Sequence, residues 1–412
     1  MHPAWFMVGL AFAIQFVGSA VGVYSFGILL GPLVEDLDAT RASVSLINFY
    51  MSIAGAVFGP LLGRAVLRIP LNQVMAAGAI SLSVSFLAMS FADSLWQLQL
   101  GYALGVSFGV GTLGGVPTAT LIVNWFEQRR ALALGIAGVG VSLAGFVIAP
   151  IVAGLVSGYG WRTTFQFFSA WTIAIVPVIW WFVWTRPSDR GRAAYGAGEE
   201  TPAEAPAAGE ALSTREILTN PNLWYTALAG GMTFMCATAL ITHGPMLGQD
   251  AGYDAFAAAW IVSILAVSAA VAKLLFGAIA EVTGERVAFL ISIGLQIVGL
   301  IGVAELSDHY TLLLTMTGVF GLGMGGALPL MNALLARLFG AVSFGPAMGL
   351  CAPIMTATQS IGAPLLGAIY DAQGDYALGL WLFAAALLIP ATGMLLLRIP
   401  TPPALGADQS AA

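Results

Sequence analysis

The sequence predicts an all-α membrane protein, with twelve transmembrane helices arranged as two six-helix bundles. Three observations predict it. Apolar residues make up 59% of the 412 and charged residues only 8%, against roughly 25% in a typical soluble domain. Apolar runs of helix length recur along the whole chain, each near the roughly 20 residues that cross a hydrocarbon layer about 30 Å thick. A spacing of Gly and Pro in the first half returns in the second.

The first six spans are Ala4 to Leu30, Val44 to Gly63, Val74 to Phe91, Gln99 to Val123, Ala131 to Ser157 and Phe165 to Thr185. The second six are Leu223 to Leu247, Phe256 to Ala280, Val287 to Ala304, Thr311 to Leu335, Pro346 to Ile369 and Leu378 to Leu397. Between them, residues 186–220 are rich in Ala, Gly, Pro and Glu. Such a stretch cannot bury a core and reads as a solvated linker. The chain thus divides into a bundle at 1–185, the linker, a bundle at 221–400 and a tail at 401–412.

Lys and Arg flanking transmembrane helices concentrate on the cytoplasmic side. With the N-terminus inside, Arg64, Arg68, Arg129, Arg130, Arg186, Arg190, Arg192, Arg215, Arg286, Arg337 and Arg398 are cytoplasmic, against Arg41 and Arg162 outside. Both termini and the linker then face the cytoplasm, and the expected location is the cell (inner) membrane. The first span has no basic leader and is too long for a secretory apolar segment, so it reads as a retained helix.

Helices in lipid associate by close approach through small residues. Gly55, Gly59 and Gly63, and likewise Gly101, Gly105 and Gly109, recur every four residues and so lie along one helix face, which reads as packing. Pro117, Pro150, Pro245, Pro329, Pro353 and Pro364 fall within or near the ends of spans, where kinks free backbone carbonyls. Gly135, Pro150 and Gly160 share their spacing with Gly349, Pro364 and Gly374, and Gly114 to Pro117 resembles Gly325 to Pro329 with one residue more. Six spans therefore repeat as six spans with the same orientation, the arrangement of two-bundle carriers. Pro150 and Pro364 occupy matched positions and read as parts of the moving helices.

Two cysteines, Cys236 and Cys351, both in apolar runs, provide neither a disulfide framework nor a metal cluster. A net charge of −6 with 14 basic residues leaves no face for nucleic acid. No cofactor motif occurs. The three histidines, His2, His243 and His309, lie in different regions and open no catalytic constellation, so an enzyme is not expected.

The loop after the eighth span reads G-A-I-A-E-V-T-G-E-R from Gly277 to Arg286. It is similar to the G-x-x-x-D-x-x-G-x-R loop signature of the major facilitator superfamily, with Glu281 for the Asp. The resemblance to that superfamily covers essentially the whole chain. The first-half counterpart, Gly59 to Arg64, keeps a glycine and a basic residue but has Gly63 where the acid belongs. The signature implies a latch between bundles, in which Glu281, Arg286 and Arg64 would act through charge and helix-dipole contacts. Tyr24-Ser25-Phe26-Gly27, Pro32-Leu33, Arg41 to Ser45, Asn124 to Gly135 and Gly160-Trp161-Arg162 resemble the monocarboxylate and oxalate:formate transporter branch.

All Asp and Glu residues fall in loops, linker, tail or span ends, and one basic residue does not. Lys273 precedes Glu281 by eight residues, about 12 Å along a helix, which puts its ammonium near mid-bilayer. Placing a lysine there costs about 2.5–3.5 kcal/mol, with no buried acid to offset it. The simplest counter-ion is an anionic substrate in a wet cavity between the bundles. In the resembled branch this position carries an Arg that binds the substrate carboxylate, whereas Lys keeps the charge and loses the bidentate fork. The monocarboxylate carriers also place an Asp one turn earlier, where this chain has Ala269. The competing reading is that Lys273 snorkels or pairs with carbonyls.

His243, beside Gly244 and Pro245 near the outer end of the seventh span, is counted among the candidate substrate-binding residues and reads either as a proton carrier or gate or as a satisfied interfacial histidine. Tyr24, Asn48, Asn332 and Gln359 could hydrogen-bond a carboxylate or simply join helices. The expected function is secondary transport of a small organic anion, foremost a monocarboxylate, by alternating access of the two bundles. Coupling is by proton symport or by anion exchange, and a monomer in the bilayer suffices. The competing readings are an exporter of drug-like or other metabolites, weakened by the lack of an intramembrane carboxylate, and a non-transporting membrane sensor.

Overall fold

The computed structural model describes residues 2–196 and 212–397. Arg398, the tail at 401–412 and the middle of the linker lie outside the described residues. Among the described residues ten helices are long and apolar enough to cross a membrane; with the one over 132–182 divided at Gly160, and 341–373 added, they give twelve helical segments: α1 (Pro3–Asp36), α2 (Arg41–Arg68), α3 (Leu71–Met89), α4 (Leu95–Trp125), α5 (130–159), α6 (161–182), α7 (Pro221–Asp250), α8 (Ala255–Thr283), α9 (Glu285–Glu305), α10 (Tyr310–Gly340), α11 (341–373) and α12 (Ala377–Leu396). In lipid each backbone amide must be paired within the chain, which leaves helices as the form these apolar runs adopt. The even number of spans puts both chain ends on one face, called here the terminal face; the opposite one is the far face.

Several helices run longer than their hydrophobic stretches suggest. The expected loops between α5 and α6 and between α10 and α11 shrink to single glycines, Gly160 with φ 77° and Gly340 with φ 75°. Glycine takes this left-handed conformation without steric penalty. Arg129 (φ 58°) and Gly374 (φ 79°) are also left-handed. The four fall in matched pairs, Arg129 with Gly340 and Gly160 with Gly374, so the repeat extends from sequence spacing to backbone geometry. Thr40 and Ser43 form a capping box at the start of α2. Asp254 accepts from the Ala257 amide at the start of α8.

Close approach through glycine holds for one stripe and fails for part of the other. A Cβ on Gly101, Gly105 or Gly109 would lie 2.6 Å from Met89, 1.6 Å from Ser85 and 2.4 Å from Leu82, so α4 packs directly on α3. Gly55 reaches only Ser107, and Gly59 and Gly63 face open space. Those two glycines pack against nothing in this conformation. In the second bundle, Gly325 lies against the Ala269 carbonyl and Gly326 against the Phe276 ring, locking α10 onto α8. Phe26, Phe86, Tyr102, Phe165 and Phe168 interlock mainly edge to face in the first bundle.

The described ends of the linker are mostly exposed, and a few of their residues dock on the bundles. Tyr195 pairs through its backbone with Trp125, Glu127 and Gln128, and its ring packs on His2, Trp5 and Phe126. Beyond the undescribed stretch, the Leu212 amide donates to Ser343 Oγ, and a short helix, Thr214–Thr219, buries Ile217. The Ser213 hydroxyl and amide hold the Glu216 carboxyl below its ordinary pKa range. Single apolar anchors thus tie each end of the linker to its own bundle.

Candidate functional site: a mid-membrane lysine and a far-face clasp

Two clusters lie on the seam between the bundles. The first sits where α5 meets α8. A Cβ on Gly145 would lie 2.6 Å from the Ala266 Cβ and 2.7 Å from the Tyr24 ring, so α1, α5 and α8 converge there. Ser263 Oγ donates to the Phe146 carbonyl at 2.8 Å across the same contact. Two turns along α8 toward the terminal face comes Lys273, and one turn along α5 comes Ser142. Lys273 Nζ donates to Ser142 Oγ at 2.9 Å. Among the described residues no carboxylate pairs with that ammonium. Ser142 is buried, whereas Lys273 remains exposed. An ammonium has three donors, so two remain for another acceptor.

Toward the terminal face several glycines make no such contact. A Cβ on Gly59, Gly63, Gly135, Gly138, Gly277, Gly345 or Gly349 would meet nothing within 4 Å. At the far end the opposite holds. There Gly27 lies against the Ile241 carbonyl, with a Cβ only 2.2 Å from it, and Gly367 lies against the Ala42 backbone at 2.8 Å.

The second cluster fastens that far end. Arg41 forks onto Asp250, Nη1 to Oδ2 at 2.6 Å and Nη2 to Oδ1 at 2.9 Å. Its Nη1 also donates to Tyr376 Oη at 2.6 Å, and the guanidinium stacks 3.5 Å from the Tyr370 ring centre. Asp371 accepts from the backbone amides of Arg41 and Ala42, capping α2 from α11. His243, fully buried, contacts Tyr376 Oη through Nδ1 at 3.0 Å and Ser45 Oγ and the Ala363 carbonyl through Nε2 at 3.0 and 2.9 Å. Burial pushes the Tyr376 hydroxyl well above its ordinary pKa, so it is a protonated phenol. A bidentate, stacked arginine is a strong and directional fastener.

The predicted residues distribute over these clusters unevenly. Tyr24 closes a π-helical stretch, Ala20–Tyr24, and lies one turn from the Lys273 level through Gly145. Asn48 belongs with the clasp, donating to Thr242 Oγ1 at 2.8 Å, beside His243. Gln359 lies four residues from Ala363, and its backbone carbonyl accepts from Thr238. Asn332 on α10 has a buried Oδ1 with no hydrogen-bond partner. The structure therefore does not gather His243 and Asn48 around Lys273. Arg64 and Glu281 are exposed at the terminal face, and Arg286 donates to the Leu395 carbonyl within its own bundle. Glu285, not Glu281, takes the ion pair there, with Arg337 at 2.5 Å. Pro150 sits inside α5, and Pro364 follows a one-residue turn at Ile361 in α11.

Ser142, Ser45, Asp250, Tyr370, Asp371 and Tyr376 were not singled out from sequence. The available signal was Arg41, one of two basic residues expected outside. The other, Arg162, pairs with Asp36 at 2.6 Å inside the first bundle, which leaves Arg41 to join the two.

A family model described as Major Facilitator Superfamily matches residues 10–304 and 244–412. Monocarboxylate transporter 13 of Rattus norvegicus is 28% identical, over 90% of this chain and 83% of that protein. Monocarboxylate transporter 11 of Homo sapiens is 27% identical, over 93% of this chain and 80% of that protein. Among solved structures, a bacterial homolog of the human lysosomal transporter Spinster, in an inward-facing and occupied conformation, superposes with a TM-score of 0.73 at 17% identity, covering 95% of both chains. In its unoccupied inward-facing conformation the TM-score is 0.70.

Proposed function

The chain belongs to the Major Facilitator Superfamily, a multi-pass membrane transporter by that membership, and from this premise we propose that it carries small organic anions, foremost monocarboxylates, with Lys273 as their counter-ion. The observation that carries the reading is the Lys273 to Ser142 hydrogen bond, made across the seam by an ammonium that no carboxylate among the described residues neutralises. An unpaired charge at that depth is costly, and a carboxylate arriving from the wet side supplies the missing partner. The similarity to monocarboxylate transporters supports the substrate class.

The mechanism follows from which end is fastened. With the terminal face in the cytoplasm, as the arginine distribution favours, this conformer is open to the inside and clasped outside. An anion entering between α5 and α8 takes up the free N–H donors of Lys273 and competes with Ser142 for the third. Tyr24 lies one turn away, and Asn332, whose buried Oδ1 has no partner among the described residues, stays a candidate ligand on α10. Delivery to the other side requires the Arg41 clasp to part and the open glycine faces of α2, α5, α8 and α11 to close. Residues 1–185 and 221–400 act as the two moving bodies.

Purified protein in liposomes tests this. Saturable uptake of a labelled monocarboxylate, competed by related anions and lost in Lys273→Ala, supports the reading. Saturable binding with no flux rejects it in favour of a sensor. Alkalinisation outside on substrate addition identifies symport, and counterflow without it identifies exchange.

A further inference from the structure

His243 sits where the far-face clasp must break, and its neighbours fix its protonation. Ser45 Oγ donates its proton to the Arg41 carbonyl at 2.6 Å. The Ala363 carbonyl has no proton to give. Nε2, in reach of both, is therefore the N–H donor. Nδ1 faces Tyr376 Oη, which already accepts from Arg41 Nη1. The phenol proton has His243 Nδ1 as its acceptor among the described residues. The neutral imidazole with its hydrogen on Nε2 thus satisfies every member of the network.

A second proton, on Nδ1, breaks this arrangement in two ways. Two donors then meet at Tyr376 Oη and the phenol proton is stranded in a buried site, at a cost of about 1–3 kcal/mol. A second cation also arises beside the Arg41 guanidinium. The charged and titratable groups around His243 are Arg41 of α2, Asp250 of α7 itself, Tyr370 and Asp371 of α11, and Tyr376 of the turn before α12. Neither carboxylate bonds to the ring, so each acts on the new charge only from a distance. Asp250 is held by the Arg41 fork and Asp371 by the amides of Arg41 and Ala42.

We infer that His243 is a proton-binding site controlling the far face: proton uptake at Nδ1 releases the clasp, so acid favours the conformer open on that side. The inference rests on the reading of this chain as an alternating-access carrier. It makes the clasp, and not Lys273, the point at which pH enters the cycle.

The test uses the full-length protein in nanodiscs without anion, spin-labelled at Asp93→Cys and Asp308→Cys. Both positions are exposed at the far face, one in each bundle, and Cys236 and Cys351 are buried. Electron–electron distances are measured from pH 8 to pH 5. The expected result is a long-distance population that grows on acidification, by at most about tenfold per pH unit for one proton. His243→Gln, whose amide can donate to Ala363 and accept from Tyr376 without titrating, should abolish the response and keep the far face closed. Tyr376→Phe removes the phenol whose proton is stranded and should weaken it. A response that persists in His243→Gln, or none in the native protein, overturns the proposal. Anion counterflow at equal neutral pH separates the two readings. Its absence alongside an intact, His243-dependent pH response rejects the carrier and leaves the proton site standing.

Discussion

Lys273 Nζ and Ser142 Oγ lie 2.9 Å apart on helices of opposite bundles. Lys273 is also the only lysine in the chain. One hydrogen bond therefore places the sole ammonium side chain on the seam that transport must open and close, beside a neutral hydroxyl that an anion can displace.

Lys273→Ala should leave the protein folded and membrane-inserted, since the side chain makes one hydrogen bond and removing it relieves an uncompensated charge. Anion affinity should fall by at least about 10- to 100-fold, the range for losing a hydrogen bond to a charged group, about 1.5–3 kcal/mol, so that uptake is lost at working anion concentrations. Lys273→Arg should keep measurable uptake with altered selectivity, because a planar fork prefers acceptors that bind in two places. Initial uptake rates over a substrate panel check both.

Ser142→Ala removes the competitor for the ammonium and should preserve transport. It should speed modification of Lys273 by an amine reagent in the empty carrier, read by peptide mass spectrometry. A slower reaction would mean that Ser142 does not hold the side chain.

Arg41→Ala or Asp250→Asn should shift the protein toward a far-open conformer. Each leaves one partner of a partly buried charged pair unmatched, a loss of about 3–5 kcal/mol for fully buried pairs and less here. Distances between spin labels at Asp93 and Asp308 read the shift, and unchanged distances would deny the pair its fastening role.

Gly27→Val should act in the same direction by steric means. A Cβ there meets the Ile241 carbonyl at 2.2 Å, and overpacking of this kind costs about 1–3 kcal/mol. Gly59→Val, facing open space, should leave this conformer unaffected and slow the return from the other one. Transport rates and label distances together distinguish the two.

The spans and the repeat were legible in the sequence because hydropathy and Gly/Pro spacing are local signals. Lys273 was legible because a charge in an apolar run is conspicuous against its energetic cost. The clasp was not. Arg41, Ser45, His243, Asp250, Asp371 and Tyr376 are ordinary residues for helix ends, and only the tertiary packing of α2, α7, α11 and the turn before α12 joins them. His243 looked like a possible ligand of the substrate because depth can be read from sequence and rotational facing cannot be read well. The docking points of the linker are hidden for a related reason. Its composition averages over Tyr195 and Ile217, which dock its described ends. The Gly55, Gly59 and Gly63 stripe has the right period for packing, but the sequence does not say in which conformer the partner helix arrives.

The most direct measurement is substrate protection of Lys273. With one lysine in the chain, an amine-reactive reagent has a single side-chain target, and the N-terminal amine serves as an internal control. The account predicts that a transported monocarboxylate slows Lys273 modification with the same concentration dependence as uptake, while labelling of the terminus is unchanged. Modification at an undiminished rate under saturating, transported anion would contradict it.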